Sequence, residues 1–368
     1  MRIILCGGGT AGHVSPALAV ADEIIEQDKN CSLLFIGREG GRENEAVTKA
    51  GIQLKTLKVR GLIRSIKVEN LKRICEAIEA RSEAKKIIKE FRPDVVLGTG
   101  GYVCWPVLSA AHALGIPTAL HESNAIPGLT TRLISKKCDI IFLNHKESSK
   151  HLGRNVNCVT VGNPLRKSFS SLTRENARRK LGLKPTDIFI LSFGGSGGAE
   201  KINEVLIPVV KNYSSKEPDI KHIHATGVSY YSDLPDDIKN YNKGGCQIKA
   251  YIDDMPQLLS ATDIAICRCG AMTISELCQC GVCSVLIPSP NVTDNHQFEN
   301  ARLLQDKDAA IVIEEKNLSA DNLISVINRL KSDKNGRKRR AKNIKHLSTP
   351  NAAKKIVNEL KMLKNGSL

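Results

Sequence analysis

Aromatic side chains are scarce: one Trp, six Tyr and seven Phe make up 4% of 368 residues. Cores must be packed by Ile, Leu, Val and Ala, and a protein that stacks unpaired bases on aromatic rings would have few to use. RRM, KH and zinc-finger signatures are also missing, so no nucleic-acid partner is expected. No apolar leader with a small-residue cleavage site opens the chain; a β-like run begins at Arg2. The twelve cysteines are therefore expected as reduced thiols. Paired C-x2-C knuckles are lacking too. Cys267, Cys269, Cys278, Cys280 and Cys283 follow C-x-C-x8-C-x-C-x2-C, which reads as small core residues and not as a metal centre. The stretch from Val95 to Leu120 carries no Asp, Glu, Lys or Arg, long enough to span a bilayer. Gly98, Gly100, Gly101, Pro106, Gly115 and Pro117 break it into a strand (Val95-Leu97), a turn, a helix (Val107-Leu114) and a strand (Thr118-Leu120).

What is present is a repeated alternation. In the first half, apolar runs such as Ile3-Cys6, Leu33-Ile36, Val95-Leu97 and Ile140-Leu143 alternate with amphipathic patterns such as Pro16-Ile25 and Val68-Phe91. Alternating β and α without hairpin signals reads as a parallel, doubly wound sheet. The second half repeats the scheme from Ile188 to Ile313. The expected fold class is α/β, with two Rossmann-like doubly wound domains facing one another across a cleft. The expected division is 1–163 and 164–345, near Gly162-Asn163-Pro164, with a final helix within 350–364 packing back on the first domain. Net charge is +16, and Lys331 to Leu368, with twelve Lys and Arg against Asp333 and Glu359, carries +10 of it. Such a surface attracts nucleic acid, anionic headgroups or phosphorylated substrates, and charge alone does not choose among them.

Glycine loops mark the chemistry. Gly7-Gly8-Gly9-Thr10-Ala11-Gly12-His13 follows a strand and opens a helix, the layout that aims backbone N–H groups at a phosphate. Gly194-Gly195-Ser196-Gly197-Gly198 repeats it. Gly7, Gly9 and Gly12 fit the dinucleotide fingerprint, but the second strand ends in Gly37-Arg38 where an acid would hold a ribose; Arg38 leaves NADP as an outside reading. A Walker A loop is excluded, because no Gly-Lys-Ser/Thr follows. His13 would project from the loop–helix junction, and an imidazole, titrating at about pH 6.5 in water, suits proton transfer near neutrality. Gly98-Thr99-Gly100-Gly101-Tyr102 and His121-Glu122-Ser123-Asn124 end neighbouring strands at the same edge. Each alone reads equally as turn chemistry; three at one edge read as a site. In Cys267-Arg268-Cys269-Gly270-Ala271-Met272-Thr273-Ile274-Ser275-Glu276, Thr273 or Ser275 is a candidate helix cap. Glu276 either complements the helix dipole or accepts the two hydroxyls of a ribose.

These segments, with Val161-Gly162-Asn163-Pro164-Leu165-Arg166 and Ile252-Asp253-Asp254-Met255, occur in the order found in the MurG glycosyltransferases, which the chain resembles from roughly Ile3 to Ser319. The resemblance implies a GT-B fold and an inverting transfer of N-acetylglucosamine from UDP-GlcNAc to the muramyl 4-hydroxyl of lipid I, giving lipid II for peptidoglycan. It implies no cofactor and no metal. It assigns Glu276 to the ribose, Ile252 to the uracil through its backbone and Ser196 to the diphosphate. Ala271, Met272, Thr273, Ile274, Ser275 and Gln297 go to the sugar and phosphates. Thr10, Ala11, Gly12, Asn124 and Arg166 complete the donor site from the opposite side. His13 is the catalytic candidate, with Tyr102 and Glu122 on the acceptor side. Four positions depart from the family pattern: Ala11 for a glycine, Gly197 where Gln often follows Ser, and Cys269 and Cys280 for other small residues. A lipid-anchored acceptor implies a peripheral position on the cytoplasmic face of the bacterial cell membrane. Leu62, Ile63, Ile66, Lys67 and Lys72 are the expected contact patch for anionic headgroups. A UDP-GlcNAc epimerase is the competing enzyme reading.

Overall fold

The computed structural model describes residues 1–41, 44–61 and 69–366. Leu62, Ile63, Ile66 and Lys67 of the expected membrane patch lie outside the described residues. Two compact units form, Met1–Arg166 with Thr349–Leu368, and Lys167–Ser348.

The first unit is a seven-stranded parallel sheet of β1 (Arg2–Cys6), β2 (Ser32–Arg38), β3 (Gln53–Leu57), β4 (Val95–Gly98), β5 (Thr118–Glu122), β6 (Ile140–Leu143) and β7 (Cys158–Thr160). Their order is β3-β2-β1-β4-β5-β6-β7. Ile3, Ile4, Leu5 and Cys6 are all fully buried, because helices cover both faces of the sheet. Phe35 and Phe142 pack on one face with the helices Ala11–Gln27 and Ala352–Lys364. Helices Glu69–Phe91 and Cys104–His112 cover the other. The C-terminal helix enters the first unit's core through Ile356, Val357 and Leu360, each side chain contributing roughly 1.5–3 kcal/mol on burial. Lys361 to Gln27 (2.6 Å) and Lys364 to Asp94 (3.0 Å) fix its flank.

Two helices begin earlier than the prolines in the sequence suggest. Cys104–His112 takes Pro106 into its first turn, where an N–H would have no intrahelical partner. Ala11–Gln27 runs through Pro16. Among the described residues, no helix is long and apolar enough to cross a membrane.

The second unit orders its strands β10-β11-β9-β8-β12-β13-β14. These are β8 (Ile188–Phe193), β9 (Ile220–Ala225), β10 (Asn242–Lys243), β11 (Cys246–Lys249), β12 (Ile264–Cys267), β13 (Cys283–Leu286) and β14 (Ala310–Val312). Six strands are parallel, but β10 pairs antiparallel with β11, which corrects the expectation of a hairpin-free repeat. Gly244 and Gly245 take φ +62° and +79°, the two positive values a tight hairpin turn requires. Cys267, Cys269, Cys278 and Cys283 are buried, and no group of three or more metal-capable side chains gathers among the described residues. The basic run folds as helix Lys334–Lys345, with Arg339 (2.7 Å) and Arg340 (3.1 Å) both on Asp308.

Candidate active site

In a doubly wound sheet, ligands bind beyond the strand C-termini at the point where strand order reverses. In the first unit that point lies between β1 and β4. The two loops leaving these strands interlock. Gly8 N–H donates to the Gly100 carbonyl (3.2 Å), and Thr99, 1% exposed, donates its hydroxyl to the His13 carbonyl (2.6 Å). A methyl group at Gly101 (φ +86°) would overlap the Gly8 carbonyl, so only glycine allows this approach. His13 is half-buried, its ring lying against Gly100. Its Nδ1 is 3.0 Å from the Gly8 carbonyl and 3.2 Å from the Thr10 hydroxyl. A carbonyl only accepts, so Nδ1 carries the proton and the neutral ring keeps its lone pair on Nε2. Thr10 is the helix N-cap, with Ala11 and Gly12 opening the helix.

The next loop is organised by Glu122. One carboxylate oxygen accepts from the backbone (3.0 Å) and side-chain amide (3.1 Å) of Asn124. The other accepts from Gly128 N–H (3.0 Å) and the Thr131 hydroxyl (2.6 Å). Both oxygens of Glu122, the acceptor-side candidate, are thus held by its own loop and by the first turn of helix Leu129–Ile134, and it shapes that loop around Asn124. Tyr102 is half-exposed and packs on Gly61. Arg166 pairs with Asp22 on the helix Ala11–Gln27 (2.9 Å).

In the second unit the order reverses between β8 and β12. Ser196 sits exposed at the tip of the loop after β8, between Gly195 (φ +94°) and Gly198 (φ +78°). Ile252 follows β11 and is buried. The loop after β12 enters helix Ala271–Cys280 with Gly270 as N-cap and no side-chain cap. Thr273 and Ser275 lie inside the helix, so the expected capping role is corrected. Ala271, Met272 and Ile274 are buried along it. Glu276, in its second turn, is desolvated enough that its carboxyl is pushed up to about 8. Gln297, on helix His296–Gln305, accepts from Cys269 N–H (3.3 Å) and Ser289 N–H (3.0 Å) through its oxygen. Its NH2 is then the end that can donate to a ligand.

Sequence reasoning passed over three residues that hold these loops. Thr99 is one, and its place inside a glycine run was the available signal. Arg268, at the end of an apolar strand, pairs with Glu315 and donates to the carbonyls of Ile287 and Pro288 (3.3 Å each), tying three strand ends together. Asn300 donates to the Cys269 carbonyl (3.3 Å) from helix His296–Gln305.

Family models match both units: the glycosyltransferase family 28 N-terminal domain over residues 3–143, and the family 28 C-terminal domain over residues 189–356. The chain belongs to glycosyltransferase family 28. Within that family it is 41% identical, over 366 residues and 99% of each chain, to UDP-N-acetylglucosamine--N-acetylmuramyl-(pentapeptide) pyrophosphoryl-undecaprenol N-acetylglucosamine transferase of Acetivibrio thermocellus. The protein of the same name in Thermoanaerobacter sp. (strain X514) is 39% identical over 99% of this chain and all of its own. Among solved structures, MurG of Acinetobacter baumannii superposes with a TM-score of 0.72 at 27% identity, covering 98% of this chain and 99% of that one.

Proposed function

We propose that this chain transfers N-acetylglucosamine from UDP-GlcNAc to the muramyl 4-hydroxyl of lipid I, inverting the anomeric centre to give lipid II. The observation that carries the reading is 41% identity over 99% of both chains to a transferase named for that reaction. The donor is held by the second unit. Glu276 accepts the ribose hydroxyls, and the backbone at Ile252 meets the uracil. Ser196 and the N-terminus of helix Ala271–Cys280, through Thr273 and Ser275, take the diphosphate. Gln297 donates its amide to the sugar. Thr10, Ala11, Gly12, Asn124 and Arg166 complete that donor site from the first unit, with Tyr102 on the acceptor side. The acceptor hydroxyl attacks C1 from the face opposite UDP, its proton passing to Nε2 of His13. Preorganised N–H groups of the loops and helix ends stabilise charge on the departing diphosphate. The reading is tested with UDP-GlcNAc labelled in the sugar and a lipid I analogue. Label must pass to the lipid; free labelled sugar or an isomerised nucleotide sugar as the only product would defeat the reading.

A lipid-linked acceptor supports a position at an anionic membrane surface, which we assign to the cytoplasmic face; no nucleic-acid partner belongs to this reading. Support comes from helix Glu69–Phe91. Leu71, Ile74 and Ile78 are 65%, 45% and 57% exposed on one face, beside exposed Lys72. An apolar stripe rimmed by cations suits an acyl–headgroup boundary. Replacing all three with Ser is expected to abolish co-sedimentation with phosphatidylglycerol vesicles while leaving UDP affinity unchanged. Sedimentation equal to that of the unmodified protein would exclude this helix as the contact.

A further inference from the structure

A buried polar chain crosses the second unit beneath helix Glu200–Asn212. The Ser214 hydroxyl is 3.0 Å from His222 Nδ1, and His222 Nε2 is 2.8 Å from the Ser192 hydroxyl. That hydroxyl is 2.9 Å from His224 Nδ1, and His224 Nε2 is 3.2 Å from Asn203 Oδ1. Asn203 Nδ2 then donates to the Thr226 carbonyl (3.0 Å). Ser192, Ser214, His222, His224 and Thr226 are fully buried and Asn203 is 6% exposed. The pairing of β8 with β9 builds this row by setting Ser192 opposite His224, and the two-residue period puts His222 on the same face.

The last link decides every other. A carbonyl only accepts, so Asn203 turns its NH2 to Thr226 and its oxygen to His224. His224 Nε2 must therefore carry a proton, its Nδ1 accepts from Ser192, Ser192 accepts from His222 Nε2, and His222 Nδ1 accepts from Ser214. Each polar hydrogen points one way along the chain, towards Thr226. Burial pushes the two imidazoles down to about 3 (His222, with His224 beside it adding to the fall) and about 4 (His224), so both stay neutral at working pH.

The chain ends beneath the glycine loop. A methyl at Gly198 would overlap the Thr226 carbonyl, and one at Gly227 (φ +89°) would crowd Gly198. The Gly197–Gly198 backbone thus rests directly on Thr226–Gly227. Asn203 lies in the first turn of helix Glu200–Asn212 and donates its own backbone N–H to the Ala199 carbonyl (2.9 Å). One amide therefore joins the helix N-terminus to the strand end that supports the loop. A freely rotating Asn203 would release that joint. An unpartnered buried Oδ1 would also carry a desolvation penalty that reorienting the amide relieves.

We propose that His224 is a positioning residue for the nucleotide sugar: by orienting Asn203 it locks the N-terminal turn of helix Glu200–Asn212 onto the Thr226–Gly227 support of the diphosphate loop. This rests on the reading that the donor diphosphate lies at that loop. The test is steady-state transfer with UDP-GlcNAc and a lipid I analogue, alongside calorimetric UDP affinity. His224→Leu is expected to raise KM for UDP-GlcNAc about tenfold, with kcat within about twofold and UDP affinity falling in parallel. His224→Gln places an amide N–H near the Nε2 position and is expected to restore most of KM, whereas His224→Asn, too short to reach Asn203, is not. Should the Leu variant fail to fold, the Gln and Asn pair carries the same comparison. Ser214→Ala, at the far end of the chain, is expected to lower Tm without moving KM. Native KM in the Leu or Asn variant, or an equal change in Gln and Asn, overturns the inference. Failure of the donor-site reading would look different: UDP affinity would then be indifferent to Glu276 as well.

Discussion

His13→Asn is expected to lower kcat by about 10²–10⁴-fold while leaving KM for UDP-GlcNAc close to its original value. The choice of Asn follows from the ring's two nitrogens. Nδ1 is spent on the Gly8 carbonyl at 3.0 Å, and an Asn amide can replace that donor. Nothing in Asn replaces the Nε2 lone pair. The variant therefore keeps the interlocked glycine loops and loses only the proton acceptor. His13→Ala loses both, and a further rise in KM for lipid I is expected from a loosened Gly8–Gly100 contact. Single-turnover rates in rapid quench report the chemical step directly. An Asn variant retaining more than a tenth of the rate would remove His13 from the proton path.

Glu276→Gln is expected to weaken UDP binding about 100-fold and, at the same time, to stabilise the fold at alkaline pH. Both effects come from one desolvated carboxyl whose pKa is pushed up to about 8. In the unfolded chain a Glu ionises near its ordinary value of about 4.3. The folded protein therefore holds a proton that the unfolded chain has lost, and stability declines as pH rises between those two values. Gln has no such penalty, so the difference in Tm between Gln and Glu proteins should widen from pH 5 to pH 8 and stay constant above. A raised folded pKa also shapes ligand binding. On the proposed reading ribose hydroxyls donate to the carboxylate, so UDP affinity should rise with pH up to about 8 and then level, with proton release visible in buffer-dependent calorimetric enthalpy. In Glu276→Gln the affinity should be flat with pH. A pH-dependent affinity surviving the substitution would assign the titration to another group.

Much of the site was legible because glycine and periodicity are local signals. Short apolar runs leading into glycine turns read as fully covered strands, and Ile3–Cys6 and Ile264–Cys267 are buried without exception. The glycine loops likewise declared themselves, since a backbone at φ near +90° or in contact with another backbone excludes a Cβ. The hairpin at Gly244-Gly245 carried the same kind of signal, but within a repeating β/α pattern a glycine pair reads equally as an ordinary loop. Pro106 and Pro16 misplaced two helix starts, because proline's cost depends on its position within the helix, and that position was itself unknown.

The order of apolar and amphipathic segments, with glycines at strand ends, was enough to specify two doubly wound sheets and the edges where a phosphate can sit. The side chains serving those edges were decided only in three dimensions. Glu122 takes four hydrogen bonds, from Asn124 and Gly128 of its own loop and from Thr131 of the helix that follows. Arg268 meets Glu315, and His224 meets Asn203, across 47 and 21 residues of chain. The physical reason is that strand formation depends on neighbours within a few residues, whereas the energy of a buried polar group depends on whichever partner the packed fold brings to it.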